Sequence, residues 1–137
     1  MEANQIVNKM FEADFFSQWL GIQILEIKKG DAKLSLKIRE DMLNGFGIAH
    51  GGISYSLADS ALAFASNSTN IKSVSIETSI SHLVSLKLDD EILAHAFCET
   101  ETEKLGHYKV TVSLKNNPNK IVALFKGIVY KTSQSWN

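Results

Sequence analysis

The chain has one cysteine, Cys98, so it cannot form an intramolecular disulfide, and the fold must be held by burial and hydrogen bonding. That suits a reducing compartment, and a cytoplasmic protein is expected. The single arginine, Arg39, and a net charge of −1 from 14 basic and 15 acidic residues leave no basic footprint, which excludes nucleic acid as a partner. The longest apolar-leaning run, residues 53–65, is broken by serines and Asp59 and is too short to span a bilayer, so no membrane partner is expected. The opening "MEANQIVNKMFEADFF" lacks a basic region followed by an apolar core and does not read as a secretory signal. The four histidines and Cys98 show no ligand-like spacing, so no metal is expected. No serine stands in a Gly-x-Ser-x-Gly elbow, which argues against an esterase of the α/β-hydrolase kind.

What is present is 45% hydrophobic and 21% charged, the profile of a globular protein, and 137 residues suit a single domain over 1–137. Val7, Phe11, Phe15 and Trp19 recur at four-residue spacing, with Ile6 and Met10 beside them, and predict one amphipathic helix over residues 4–20 that stops at Gly21. In "DAKLSLKIRE" Ala32, Leu34, Leu36 and Ile38 alternate with Lys33, Ser35, Lys37 and Arg39, the mark of a half-buried strand, and "GIQILEIKK" before it reads as its hairpin partner. "SVSIETSISHLVSL" predicts an unusually long strand with Val74, Ile76, Thr78, Ile80, His82, Val84 and Leu86 on one face. Strands over about 91–103, 106–116 and 120–132 follow, the last two separated by a turn at "NNPNK" that holds Pro118, the only proline. Residues 51–68 are apolar or small nearly all round, as in a helix wrapped by a sheet. The expected fold is α+β: an N-terminal helix, two strands, a long central helix, then four long antiparallel strands in a meander curved around it.

The stretch "NGFGIAHGGISYSLADSALAFASNS", residues 44–68, carries the chemistry. Asn44 with Gly45 and Gly47 makes a tight loop, and "HGG" opens a helix whose bare N–H groups and dipole can receive a phosphate or a developing oxyanion. Asp59 lies too deep in that helix to cap it, and aspartate is a poor helix-interior residue. Its own helix face offers Tyr55, Ser56, Leu62, Ala63 and Ser66, with no basic residue among them. A carboxylate buried there has a raised pKa, a common property of catalytic acids and bases; the alternative is a helix face that meets solvent. Gly51 and Asp59 stand eight residues apart, roughly 12 Å along one helix at about 1.5 Å per residue. They can act on the same carbonyl only if they come from two copies of the chain, which calls for a dimer with the site across its interface.

The spacing of Asn44, Gly45, Gly47, His50, Gly51, Gly52, Leu57, Ala58 and Asp59 resembles that of hotdog-fold acyl-CoA thioesterases of the phenylacetate-degradation type. "ALAFASNS", "SVSIETSISHL" and "VALFKGIVYK" extend the likeness over nearly the whole chain. The resemblance implies a sheet of about six strands wrapped around the 51–68 helix, in homodimers that pair into homotetramers. It also implies thioester hydrolysis, with coenzyme A entering as part of the substrate and no separate cofactor. The Gly51 N–H would polarise the carbonyl, His50 and Asn44 would shape that end of the pocket, and Asp59 of the second copy would attack or activate water. Ser75 would orient that water, and Gly52, Tyr55 and His82 join it as substrate-binding candidates. Relatives commonly carry an aromatic residue, leucine or methionine, a basic residue and proline in the long strand, where this chain has His82, Leu83, Val84 and Ser85.

His82 lies on the apolar face of its strand and reads as lining a core or pocket, whereas His95 and His107 read as solvated and Cys98 as a small core residue. The competing function is a non-catalytic module that binds acyl-CoA or another small ligand on the same fold and would tolerate loss of Asp59. A hydratase of this fold ranks last, because no His–Asp segment of the "Asp-x-Asn-Pro-x-His" kind is present.

Overall fold

Asp14 interrupts the first predicted helix. In the computed structural model, which describes residues 1–137, α1 runs Ala3–Ala13 and α2 runs Phe15–Leu20. The Asp14 carboxylate accepts from the Ser17 N–H at 3.0 Å and from the Ser17 hydroxyl at 2.6 Å, so a strong capping residue starts a new helix in mid-pattern. The single expected stripe is therefore broken: Ile6 and Val7 are buried, but Phe15 is 76% and Trp19 55% exposed. Gly21, at φ +77°, closes α2 as a left-handed cap.

Strands β1 (Gln23–Lys28) and β2 (Asp31–Lys37) form the expected hairpin, and the apolar face of β2, continued by Ile38, is fully buried. A short 3-10 turn, Glu40–Met42, and a loop lead into α3, Gly51–Asn67. Leu57, Ala58, Ala61, Leu62, Phe64 and Ala65 of α3 are buried against the sheet. The alanines let helix and strands approach closely while Phe64 fills the space between them.

Then come β3 (Ile71–His82), β4 (Glu91–Glu101), β5 (Leu105–Leu114) and β6 (Asn117–Ser135). All six strands form one antiparallel sheet in the order β1-β2-β4-β5-β6-β3, wrapped on α3 in the hotdog arrangement. The last four strands are not the simple meander expected. Strands β4, β5 and β6 are, but β3 lies at the far edge beside β6. Its return segment, 83–90, crosses the end of the sheet, bonding to Val122 of β6 at Leu83, to Ala49 at Leu86 and to Ile38 beyond β2 at Asp90. Alternation along one chain gives the face of each strand but not its neighbour.

Two details of that region also differ from expectation. The long strand ends at His82, and a bulge between Ser75 and Glu77 inserts Ile76 against β6. The extra residue reverses the alternation. Before it Ser73 and Ser75 face the helix; after it Thr78, Ile80 and His82 do, leaving Val74 57% and Ile76 58% exposed on the other face. The β5–β6 turn is tighter than read, at Lys115–Asn116, and Pro118 is the second residue of β6. His95, expected to be solvated, bonds through Nε2 to the Asp31 carboxylate at 3.0 Å. No helix is long and apolar enough to cross a membrane.

Asn67 brackets the end of α3 to the sheet. Its Oδ1 accepts from the Ser73 N–H at 3.0 Å and from the Trp136 indole N–H at 3.1 Å, while Nδ2 donates to the Ala63 and Ser73 carbonyls at 2.9 and 3.1 Å. Asn67→Ala leaves both donors unpaired, and a loss of roughly 3 kcal/mol is expected from urea unfolding, at about 1–3 kcal/mol per stranded donor.

Candidate active site

The loop before α3 is built around Asn44. Its Oδ1 accepts from the Phe46 N–H at 2.9 Å and the Ile48 N–H at 3.4 Å, its own N–H bonds to the Ile48 carbonyl at 2.7 Å, and Gly47 takes φ +77°. With Oδ1 spent on the loop, the carboxamide NH2 of Asn44 donates to nothing within the chain. His50 is the N-cap of α3: its Nδ1 accepts from the Gly52 N–H at 2.9 Å, so while it caps, that nitrogen carries no proton. Gly51, the first residue of the helix, has no partner for its N–H. Of the two glycine donors that the sequence places at this helix start, one is consumed by the imidazole and one is left free.

The free donor faces a groove of about 240 Å³ lined by Asn44, Gly51, Ser54 and His82, and walled by Leu83–Leu86 of the returning segment. His82 presents the Nε2 edge of its ring to the helix start. A Cβ on Gly51 would sit 3.1 Å from its Nε2, and its Nδ1 is 3.4 Å from the Ser54 hydroxyl. Glycine at position 51 therefore lets the imidazole approach the backbone closely.

Asp59 is elsewhere. Its half-buried carboxylate opens into a second cavity of about 460 Å³, together with Ser75, Lys72, Leu62, Val129 and Trp136. No hydrogen bond or ion pair within the chain reaches it, and burial pushes the carboxyl above its ordinary 3.8. Lys72 lines the same cavity but makes no ion pair with it; its ammonium instead lies over the Trp136 ring, 5.2 Å from the centroid.

The structure thus groups the sequence-predicted residues into two sets. Asn44, Gly51 and His82 share the first groove, and Asp59 and Ser75 share the second cavity. His50 and Gly52 line neither and form the cap between them. Tyr55 lines neither as well; its hydroxyl bonds to Thr78 and its ring packs edge-on against Phe125, centroids 5.4 Å apart, as a helix-to-sheet contact. Two further grooves on the sheet, around Lys109 and Lys126, hold none of the predicted residues. Sequence reasoning missed Ser54, which is sequence-adjacent to the glycines and could have been found by its helical spacing from them. It also missed Lys72, at the start of β3, and Met10 and Trp136, which come from α1 and from beyond β6; their approach to Asp59 depends on distant segments meeting and leaves no local signal. No cluster of His, Cys, Asp or Glu side chains is arranged to hold a metal ion.

Comparison with known proteins bears on this geometry. A family model described as Thioesterase superfamily matches residues 46–119, which include the glycine start, Asp59 and Ser75. The acyl-coenzyme A thioesterase PaaI of Escherichia coli is 33% identical over 92% of this chain and 89% of its own. The solved structure of the E. coli PaaI protein, from the phenylacetic acid degradation operon, superposes with a TM-score of 0.92 at 31% identity, over 97% of this chain and 95% of that one. A putative esterase of Archaeoglobus fulgidus is 34% identical over 96% of this chain and 84% of its own. A Streptococcus mutans protein solved with bound acetyl-CoA superposes with a TM-score of 0.78 at 26% identity, over 83% of this chain and 90% of that one. Glycine-opened helix, isolated mid-helix carboxylate, fold and family model all agree: the chain belongs to the thioesterase superfamily.

Proposed function

We propose that this protein hydrolyses an acyl-CoA thioester to the free acid and coenzyme A, at sites shared between two copies of the chain. The observation that carries the reading is the pair of polar groups without partners, the Gly51 N–H at the start of α3 and the Asp59 carboxylate two turns along it. In one copy they open into separate cavities, so a shared carbonyl requires the start of one helix and the middle of another.

The Gly51 N–H, aided by the α3 dipole, holds the thioester oxygen and stabilises the negative charge that develops there. The Asn44 carboxamide NH2 is a second donor on the same groove. Asp59 of the second copy acts on the carbonyl carbon, as nucleophile or as general base for a water oriented by Ser75. Its raised pKa suits proton abstraction better than an ordinary carboxylate would. Collapse of the tetrahedral intermediate breaks the C–S bond and expels the coenzyme A thiolate. By the water route this gives the free acid directly; by the nucleophilic route a water then cleaves the Asp59 acyl anhydride to the acid and the restored carboxylate. His82 walls the carbonyl end, and His50 fixes the Gly51 peptide by capping its neighbour. Coenzyme A needs no further cofactor beside it, and a cytoplasmic location suits a chain with one cysteine. The edge strand β3, with Val74 and Ile76 exposed, supports a homodimer, and pairs of dimers give the tetramer. The PaaI relatives support an aromatic acyl group such as phenylacetyl, and the apolar part of the Asp59 cavity also suits a fatty acyl chain.

Free-thiol release from a panel of aromatic and aliphatic acyl-CoAs tests this. Asp59→Asn is expected to lose at least ~100-fold in kcat while staying folded, and the wild-type best substrate identifies the acyl class. Hydrolysis by neither protein would leave the non-catalytic binding module in its place. Gly51→Pro removes the donor and, like Gly51→Ala, sets a Cβ against His82; proline is tolerated at the first helical position, and His50 already holds the extended φ −58°, ψ 137° that a following proline requires. It is expected to cost about 100- to 1000-fold in kcat, whereas Gly51→Ala keeps the donor and only nudges His82. Mixing the Asp59→Asn and Gly51→Pro proteins with exchange of subunits is expected to restore roughly a quarter of wild-type activity, because each mixed dimer regains one intact site. No recovery would place both groups in one chain.

Ionisation of Asp59 sets opposite trends for activity and stability. Activity rises with pH through a value above 3.8 as the carboxylate forms. Stability moves the other way. A pKa raised by folding leaves no penalty below the ordinary carboxyl value, and the penalty grows as pH climbs through the folded value. Thermal melts are therefore expected to show Asp59→Asn more stable than wild type at neutral pH, with the two converging below pH 3.8.

A further inference from the structure

One wall of the Asp59 cavity is supplied by a residue from the far end of the chain. Strand β6 runs through Ser135, and the next residue, Trp136, folds back over the end of α3. Three contacts fix the residue, two of them to its ring. The backbone N–H bonds to the Asn70 carbonyl at 3.3 Å, the indole N–H bonds to Asn67 Oδ1 at 3.1 Å, and Lys72 covers one face at 5.2 Å. Asn67 is itself buried and fully bonded, so the indole hangs on a rigid support rather than on a loose tail.

Along α3 the order is Gly51, Asp59, Asn67, with equal spacing. From the carboxylate to the Trp136 anchor is eight residues, roughly 12 Å at about 1.5 Å per residue, close to the length of a medium acyl chain. Between these two points Leu62 and Ala63 on the helix, Val129 on β6 and Met10 from α1 give an apolar wall, with Ser66, Ser73 and Ser75 as polar groups beside it. An acyl group whose carbonyl lies beside Asp59 can extend along this wall and meets the indole at its end.

We infer that Trp136 is the end wall of the acyl chamber and sets the length and shape of acyl group the protein accepts; this rests on reading the Asp59 cavity as part of a thioesterase site. The ligand class is an acyl-CoA whose acyl part is aromatic or of medium length. A flat ring gains edge or face contact with the indole, and a long flexible chain is stopped by it.

Two measurements test the inference independently. The first is the kcat/KM profile over straight-chain acyl-CoAs from butanoyl to palmitoyl, with phenylacetyl-CoA beside them, for wild type, Trp136→Ala and Trp136→Phe. Trp136→Ala is expected to move the optimum to longer chains, changing the long-to-short ratio of kcat/KM by roughly tenfold or more, the discrimination an apolar pocket draws from a methylene or two. Trp136→Phe should restore most of the original profile. A residue that only supports the fold would lower activity on all chains alike and leave the ratio unmoved. The second reads binding without hydrolysis. The chain has two tryptophans, so Trp19→Phe combined with Asp59→Asn leaves Trp136 as the sole indole. Decanoyl-CoA is expected to change its fluorescence saturably, and coenzyme A alone is not. An unchanged ratio or a silent indole overturns the inference. If wild type hydrolyses nothing in the panel, the thioesterase reading falls, and the decanoyl-CoA titration still decides whether Trp136 meets the acyl group.

Discussion

A helix enclosed by a sheet has to be small or apolar on almost every side, and the rest of this structure is arranged around that constraint. Helix α3 meets it with buried alanines, leucines and Phe64. The strands meet it with the buried aliphatic faces of β2, β4 and β5. Where the constraint on α3 is relaxed, the helix keeps polar groups that have no partner. That occurs at the glycine start, which opens onto the groove beside His82, and at Asp59, where a cavity opens beside the helix. Both exceptions cost stability: a bare N–H and an ionisable group lifted by burial are groups that folding alone would have paired or removed.

The capping histidine refines the first exception. Had Gly52 also been left free, the helix would present two adjacent donors in different directions. By accepting from Gly52, the His50 imidazole leaves one N–H to meet an incoming oxygen. The cost is a protonation requirement, because an imidazolium at position 50 has no lone pair on Nδ1 to cap with.

Much of this was legible in the sequence because it follows from local periodicity. Ala32, Leu34, Leu36 and Ile38 alternate in sequence and are all buried, with Ser35 buried between them, and 51–67 is apolar or small nearly all round and lies in the middle of the fold. The glycine start and the isolated Asp59 were legible because each breaks the rule its neighbours follow. The remainder was not legible because its cause is either a single competing residue or a long-range closure. Asp14 overrode a regular four-residue repeat by capping a new helix. Ile76, one inserted residue, reversed the faces of everything after it in β3. The place of β3 at the far edge, and of Trp136 against the end of α3, depends on how distant segments meet, which no window of residues records.

The kink in β3 matters beyond the site. A twelve-residue strand with one open edge is a template on which any extended segment could grow, including those of unfolded chains. A bulge bends that template partway along, and the charged Glu77 follows it immediately. A straight, regular strand can zip along one half only and then loses register, so stray pairing stops early. The irregularity that hid the faces of β3 from a periodicity argument also works as a key: it rewards a partner whose own backbone bends to match and penalises those that do not.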